Sequence, residues 1–320
     1  MKIKKKNIAE GKKKETSSSA PDQKGVIVAH HGIAVDILFE SGERRMVKIK
    51  RRAGHVVGDN VVVQDHRLTR LPRRTELRRR DSRGSVRIVG ANLDVLCVVV
   101  AQLPSPTPGY IDQAIVTARE ADLIPVLVIN KGDLEKSEEF FARLTAIYAG
   151  IVDIFAVSAV TGEGLDALES FMGQGFMGQG FRSFFVGITG VGKSSLLNTI
   201  CPALDLRVGE LFEAGNRGCN TTTVSTLHTL KSGGELVDTP GFNEFGLVDI
   251  SAQDLAGYFP GFEQAMESTC RFRDCRHRTE PGCAVSKLLL EGKISQERYT
   301  TYLEILDQLE AGEGRFKTRR

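Results

Sequence analysis

Short stretches of alternating apolar and polar residues recur between turn formers from about residue 24 to residue 87. They include Gly25-Val26-Ile27-Val28, Ala34-Val35-Asp36-Ile37-Leu38-Phe39, Arg45-Met46-Val47-Lys48-Ile49-Lys50 and Asn60-Val61-Val62-Val63. A period of two turns every second side chain inward, and strands this short and this closely spaced predict a small all-β barrel, an OB-fold. From Ala91 the rhythm changes. Apolar runs at 93–101, 124–130, 152–157 and 183–186 predict buried strands, and helical spacing at 110–121, 138–148 and 165–172 predicts the helices between them. Strands alternating with helices in this way make an α/β unit with a largely parallel sheet. Two further helices are expected at 285–291 and 296–310.

The ends and one connection lack such periodicity. Residues 1–24 are Lys-rich and then Ser-rich, a composition that cannot bury enough surface to order itself. It reads equally as a solvated tail or as a basic arm on nucleic acid. Phe171-Met172-Gly173-Gln174-Gly175 is followed at once by Phe176-Met177-Gly178-Gln179-Gly180, the same five residues again. That glycine density predicts a slack linker with no site of its own.

Composition narrows the class. A 320-residue chain, 41% hydrophobic and 26% charged, has room for two or three ordinary cores. No apolar run reaches the length of a membrane span, so no membrane partner is expected. Met1-Lys2-Ile3-Lys4-Lys5-Lys6 is not followed by the apolar segment of a secretory signal. Three of the six cysteines cluster late with a histidine, which suggests reduced thiols, a metal and the cytoplasm. The net charge is only +3, so polyanion binding must come from uneven distribution. Lys48, Lys50, Arg51, Arg52, Arg67, Arg70, Arg73, Arg74, Arg78, Arg79, Arg80, Arg83 and Arg87 supply it, which favours phosphate-backbone contact by the first domain.

Gly187-Ile188-Thr189-Gly190-Val191-Gly192-Lys193-Ser194 reads G-x-x-x-x-G-K-S, a phosphate-binding P-loop between a predicted strand and a helix that opens at Ser195. Backbone N–H groups and the helix dipole converge there on a polyphosphate. Lys193 is placed to reach the terminal phosphates and Ser194 to hold Mg²⁺. Asn130-Lys131-Gly132-Asp133, at a strand end, is N-K-x-D. The Asp133 carboxylate can accept from N1–H and the 2-amino group of guanine; adenine would leave it unpaired. Lys131 can lay its stem along the base, and Asn130 can tie the loop to the P-loop. Ser158-Ala159 fits the S-A element that meets the guanine carbonyl. Asp238-Thr239-Pro240-Gly241 matches D-x-x-G, with Asp238 toward Mg²⁺ through water and the Gly241 N–H toward the γ-phosphate. Thr221-Thr222-Thr223 stands where a first-switch threonine covers Mg²⁺. GTP, with GDP as product, is therefore the expected ligand.

The motifs run N-K-x-D, S-A, P-loop, threonine, D-x-x-G, the usual GTPase cycle cut at another point. Such a permutation keeps the packed sheet if the original ends lie close together. Further on, Cys270, Cys275, His277 and Cys283 offer four soft ligands in one short loop, a set that suits one closed, tetrahedral, structural zinc. The expected fold is multi-domain: a disordered basic tail (1–24), an OB-fold RNA-binding barrel (25–88), a circularly permuted P-loop GTPase (89–248) and a zinc-knuckle helical module (249–320). A monomer is expected.

Taken together, these motifs resemble the ribosome small subunit-dependent GTPase A family over about residues 25–305. Gly58-Asp59-Asn60-Val61, Ala91-Asn92-Leu93-Asp94, Glu280-Pro281-Gly282-Cys283-Ala284-Val285 and the stretch 291–299 match it as well. The resemblance implies a GTPase that binds the small ribosomal subunit and its rRNA late in assembly and leaves on hydrolysis. Two departures stand out. Cys219-Asn220 replaces the family's basic residue and histidine before the threonines, and Ile188-Thr189 replaces Gln-Ser in the P-loop. Asn220 and Thr222 are then the catalytic candidates, since the residue after D-x-x-G is Phe242, which offers a water no hydrogen bond. A rival reading is a nucleotide-gated RNA-binding protein with negligible turnover; a P-loop ATPase or kinase is opposed by Asp133.

Overall fold

The alternating stretches fold as β1 (Gln23–His30), β2 (Ala34–Phe39), β3 (Arg44–Lys48), β4 (Asn60–Gln64) and β5 (Arg67–Arg70), all paired antiparallel. Ile27, Val35, Ile37, Phe39, Val61 and Val63 point inward and form the core of this barrel. The computed structural model describes residues 22–50, 53–65, 67–80, 85–175, 179–204, 206, 224–239, 247–248 and 250–317. Gln23 and Lys24, assigned above to the tail, already belong to β1. A hairpin of β6 (Glu76–Arg80) and β7 (Val86–Ala91) follows, where the sequence reading saw only a basic surface. Its Leu77 is buried in the core of the next unit.

That hairpin corrects part of the charge reading. Arg73 was placed among the phosphate contacts, yet its side chain is only 4% exposed. It donates to both carboxylate oxygens of the fully buried Asp59, at 2.5 and 2.9 Å. Arg74 pairs with Asp94 and Arg78 with Glu76. A buried carboxylate such as that of Asp59 needs such a partner, so Arg73 serves the fold, while Arg74 and Arg78 stay exposed.

The central unit runs β8 (Val95–Val100), α1 (Tyr110–Glu120), β9 (Ile124–Ile129), α2 (Ser137–Tyr148), β10 (Asp153–Ala156), α3 (Leu165–Gln174), β11 (Arg182–Val186), α4 (Lys193–Ile200), β12 (Ser225–Thr229) and β13 (Glu235–Asp238). The strands lie in the order β10-β9-β8-β11-β13-β12, the first five parallel and β12 antiparallel. Every residue of β8 is buried, as expected for a parallel strand covered on both faces. One face packs against Ile111, Ala114, Ile115 and Leu144 of α1 and α2. The other packs against Leu168, Met172, Leu196 and Leu197 of α3 and α4. Beyond β12, the sheet continues into the barrel: Ala29 and His30 of β1 pair with Thr226 and Ser225.

The duplicated pentapeptide is not slack throughout. Its first copy ends α3. Phe171 sits between the rings of Phe155 and Phe181, at 5.4 and 5.2 Å, and Met172 is fully buried. A Cβ at Gly173 would stand 2.4 Å from the Ser232 carbonyl oxygen, so this glycine permits a close approach. Residues 176–178 of the second copy lie outside the described residues.

The C-terminal module contains α5 (Leu255–Tyr258), α6 (Glu263–Met266), α7 (Ala284–Leu290) and α8 (Gln296–Lys317). The two short helices were not anticipated, and α8 runs past residue 310. The tilted rings of Phe259, Phe262 and Tyr302 pack together in its core, which also takes Val116 from α1. Arg119 bonds to Glu263 at 2.7 Å, tying the module to the central unit. Among the described residues no helix is long and apolar enough to cross a membrane.

Barrel and sheet meet at Gly58. Its carbonyl accepts from Asn92 Nδ2 (2.8 Å) and Arg182 Nη1 (2.9 Å). Its φ is +90°, and a Cβ there would lie 2.1 Å from the Ala91 carbonyl oxygen. Gly42 has a similar φ of +84° but open space around it. Gly42→Ala is therefore expected to cost only the left-handed penalty, about 1–2 kcal/mol. Gly58→Ala adds a backbone collision and should cost well over about 2 kcal/mol. Thermal melting of the two variants side by side checks this; equal losses would contradict the junction described here.

Candidate nucleotide site and metal cluster

The parallel strands all end on one edge, and the loops leaving that edge carry the sequence-predicted residues. β11 delivers Gly187–Ser194, and α4 begins at Lys193. Gly190 and Gly192 have φ of +89° and +85°, which side chains avoid. A Cβ at Gly187 would stand 2.7 Å from the Val99 carbonyl oxygen, so the loop starts pressed against β8. Ile188, Thr189 and Val191 complete the turn, and Ser194 and Ser195 lie half-buried in the first turn of α4. Lys193 Nζ lies 3.6 Å from the buried Asp238 carboxylate at the end of β13. The P-loop lysine and the acid of D-x-x-G thus face one another.

Asn130, at the end of β9, is 3% exposed. Its Nδ2 donates to the Val191 carbonyl (2.9 Å), and its Oδ1 accepts from the Ala159 N–H (3.1 Å). One amide therefore clamps the P-loop and the S-A loop to the N-K-x-D loop. A Cβ at Gly192 would come within 2.5 Å of Asn130 Nδ2, so the glycine makes room for this contact. Ser158 Oγ donates to Asp133 Oδ1 (2.6 Å) and accepts from the N–H groups of Val160 and Thr161. Asp133 itself is exposed, its carboxylate held by the buried Ser158. The Gly132 N–H bonds the Val157 carbonyl (3.0 Å), fixing the loop between them.

One neighbour of this site carries no motif of its own. Lys131 Nζ donates to the Leu103 carbonyl at 2.7 Å. Leu103 lies in the connection between β8 and α1, whose Pro104, Pro106 and Pro108 are its only sequence signal. Asn220, Thr222, Phe242 and Gly241 lie outside the described residues, as do Thr221 and Thr223.

The second constellation lies in the C-terminal module. Ligand atoms of Cys270, Cys275, His277 and Cys283 all fall within 4.8 Å of one another. His277 Nδ1 is 3.6, 3.5 and 3.4 Å from the sulfurs of Cys270, Cys275 and Cys283. Tetrahedral bonds of about 2.3 Å to sulfur and 2.0 Å to nitrogen put those atoms roughly 3.5 Å apart, so the residues fit a single tetrahedral ion. Burial lowers the His277 pKa, which favours the neutral imidazole that metal binding would require. The N–H groups of Ala284 and Ser286 point at the sulfurs of Cys270 and Cys283. The Tyr299 hydroxyl lies 2.7 Å from the His277 carbonyl oxygen, bracing the ligand's backbone.

Comparison with known proteins gives a consistent result. A family model described as RsgA GTPase matches residues 70–248. The small ribosomal subunit biogenesis GTPase RsgA of Pseudomonas syringae pv. tomato is 38% identical over 309 residues, 92% of this chain and 88% of its own. Its namesake in Azotobacter vinelandii is 39% identical over 310 residues, with the same coverage of both chains. The crystal structure of YjeQ from Thermotoga maritima superposes with a TM-score of 0.72 at 31% identity, over 90% of this chain and 99% of that one. YloQ, described as a circularly permuted GTPase, gives 0.67 at 26% identity, over 93% and 98%.

Two outcomes follow from this geometry. Asn130→Ala releases the Val191 carbonyl and the Ala159 N–H together. It should weaken guanine nucleotide binding at least about ten-fold, since each buried group left unpaired costs on the order of 1–3 kcal/mol. Fluorescent-nucleotide titration measures this, and wild-type affinity would argue against the clamp. The Cys-His cluster should carry one metal ion per chain by native mass spectrometry, and Cys275→Ser should lose it.

Proposed function

The chain belongs to the RsgA GTPase family and is a GTPase, and from that premise we propose that it hydrolyses GTP while bound to the small ribosomal subunit, late in that subunit's assembly, and departs as GDP forms. The observation supporting this reading is the Asn130 clamp, which gathers at one sheet edge the three loops whose motifs fit a guanine nucleotide. Asp133 reads N1–H and the 2-amino group of guanine, with Ser158 orienting its carboxylate. The Lys131 stem lies along the base, and Ala159 meets the guanine carbonyl. Residues 187–192 wrap the phosphates with backbone N–H groups, Lys193 neutralises them, and Ser195 joins Ser194 at the helix start.

Mg²⁺ accompanies GTP and supplies charge neutralisation at the phosphates; Ser194 and, through water, Asp238 are the residues assigned to it, with one threonine of 221–223 to cover it. The Gly241 N–H is assigned to the γ-phosphate. The ion at Cys270, Cys275, His277 and Cys283 is zinc, because three thiolates and one imidazole in closed tetrahedral order select it over harder cations. It is structural: all four positions belong to the protein and none is left for a substrate. On the barrel, the exposed Lys48, Lys50, Arg67 and Arg70 are assigned to rRNA phosphates. The protein acts as a cytoplasmic monomer.

Asn220 can position a water but cannot act as a general base near neutral pH, and Phe242 offers no hydrogen bond. His228 stands in β12, with burial lowering its pKa and its Nε2 3.0 Å from Thr226 Oγ1. Turnover by the free protein should therefore fall well below the ~1 s⁻¹ low end of ordinary enzymes. Purified small subunits should raise it, Asn220→His should be tolerated or faster, and Phe242→Ala should retain activity. Turnover that stays negligible with subunits present would favour a nucleotide-gated RNA-binding protein; fast turnover without them would overturn the assisted mechanism. Asp133→Asn should shift preference from GTP to xanthosine triphosphate, and unchanged selectivity would remove the guanine assignment.

A further inference from the structure

The connection between β8 and α1, residues 101–109, borders both the P-loop and the N-K-x-D loop, and the proposed function gives it no task. It touches the site twice. An ideal Cβ at Gly190 would stand 3.4 Å from Pro104 Cδ, so Pro104 lies against the tip of the P-loop. The Leu103 carbonyl takes the Lys131 ammonium at 2.7 Å. Lys131 is itself held at φ +66°, and its Cε would be 3.7 Å from a Cβ at Gly192. The lysine stem therefore crosses beside the P-loop and ends on Leu103.

The connection is braced. Three prolines restrict its backbone. At its far end Gly109, at φ +75°, begins α1, and a Cβ there would stand 3.1 Å from Thr301 Cγ2 of α8. One turn into α1, Asp112 lies 4.0 Å from Arg298 of α8. Against this fixed backbone, the Leu103 side chain is 65% exposed. A large apolar side chain on a braced loop beside a polar cleft is a surface that an apolar ligand face can cover.

We infer that Leu103 is a nucleotide-binding residue, packing its side chain on the ribose and base edge of the guanine nucleotide while its carbonyl positions the Lys131 stem. This rests on the reading of Asn130–Asp133 as the guanine-binding loop. The contact is to the nucleoside, so it stabilises GDP and GTP equally and sets affinity without sensing the γ-phosphate. The brace on α8 keeps this wall in register with the metal-binding module.

The test is titration of Leu103→Ala with fluorescent GDP and with a non-hydrolysable GTP analogue. Both affinities should fall by the same factor, about five- to ten-fold for loss of most of a leucine's covered surface. Melting of the nucleotide-free variant should match wild type, because the side chain is exposed. Leu103→Met should restore binding, and inhibition by inorganic pyrophosphate, which has no nucleoside, should be unchanged. Wild-type affinity of Leu103→Ala for both nucleotides would overturn the inference, as would a loss confined to the triphosphate. Asp133→Asn in the same assay separates the two failures. If it does not turn the site from guanine to xanthine nucleotides, the loop assignment itself falls; if it does while Leu103→Ala binds normally, only the role of Leu103 falls.

Discussion

The side-chain amide of Asn130 is the contact on which the loop-bearing edge of the parallel sheet depends. Backbone ladders fix the strands, but the loops beyond them have no ladder of their own. A buried amide with one donor directed at the Val191 carbonyl and its acceptor filled by the Ala159 N–H joins segments far apart in the chain. Neither aspartate nor alanine could do both, because the task needs a donor and an acceptor on one short stem. Gly192 is the complement: its missing Cβ is the space into which the amide fits. The strands feeding these loops stay in one sheet, with β8 alone between β9 and β11, so this knot survives the permuted order of motifs.

What could be read in advance follows from how local each signal is. The P-loop turn, the N-K-x-D loop and the Cys-His cluster were legible as patterns because the residues each brings together are close in sequence. The central strands were legible because burial on both faces leaves an unbroken apolar run, as in β8. Arg73 was misread for the opposite reason. Its partner Asp59 is remote in sequence and sits behind the turn at Gly58, so a buried ion pair looked like one more surface charge. Strands β6 and β7 were hidden by their own arginines, with Leu77 the single fully buried anchor of the first.

Glycine misled in a related way. The repeated F-M-G-Q-G was read as slack, although Gly173 is small because the Ser232 carbonyl presses on it. A high glycine count in one window serves both a loose connection and a tight crossing, and only the neighbour distinguishes them. The connection carrying Leu103 has only its prolines as a local signal. Its importance lies in the Lys131 ammonium that it receives, which no local pattern announces.

The short ladder between β1 and β12 has a consequence for the order in which the molecule can be built. Strand β1 leaves the translating ribosome first, while its partner residues Ser225 and Thr226 are made only after most of the chain has followed. The barrel can pair β1 with β2 and β4 early, because those contacts are near in sequence. The last seam cannot close until β12 has been synthesised and has joined β13. Such distant pairings are the slow ones, since a long loop must be closed before any bond is gained. Until then the nascent chain carries an open strand edge at Ala29 and His30, so the sheet is finished only once the chain has grown past β13.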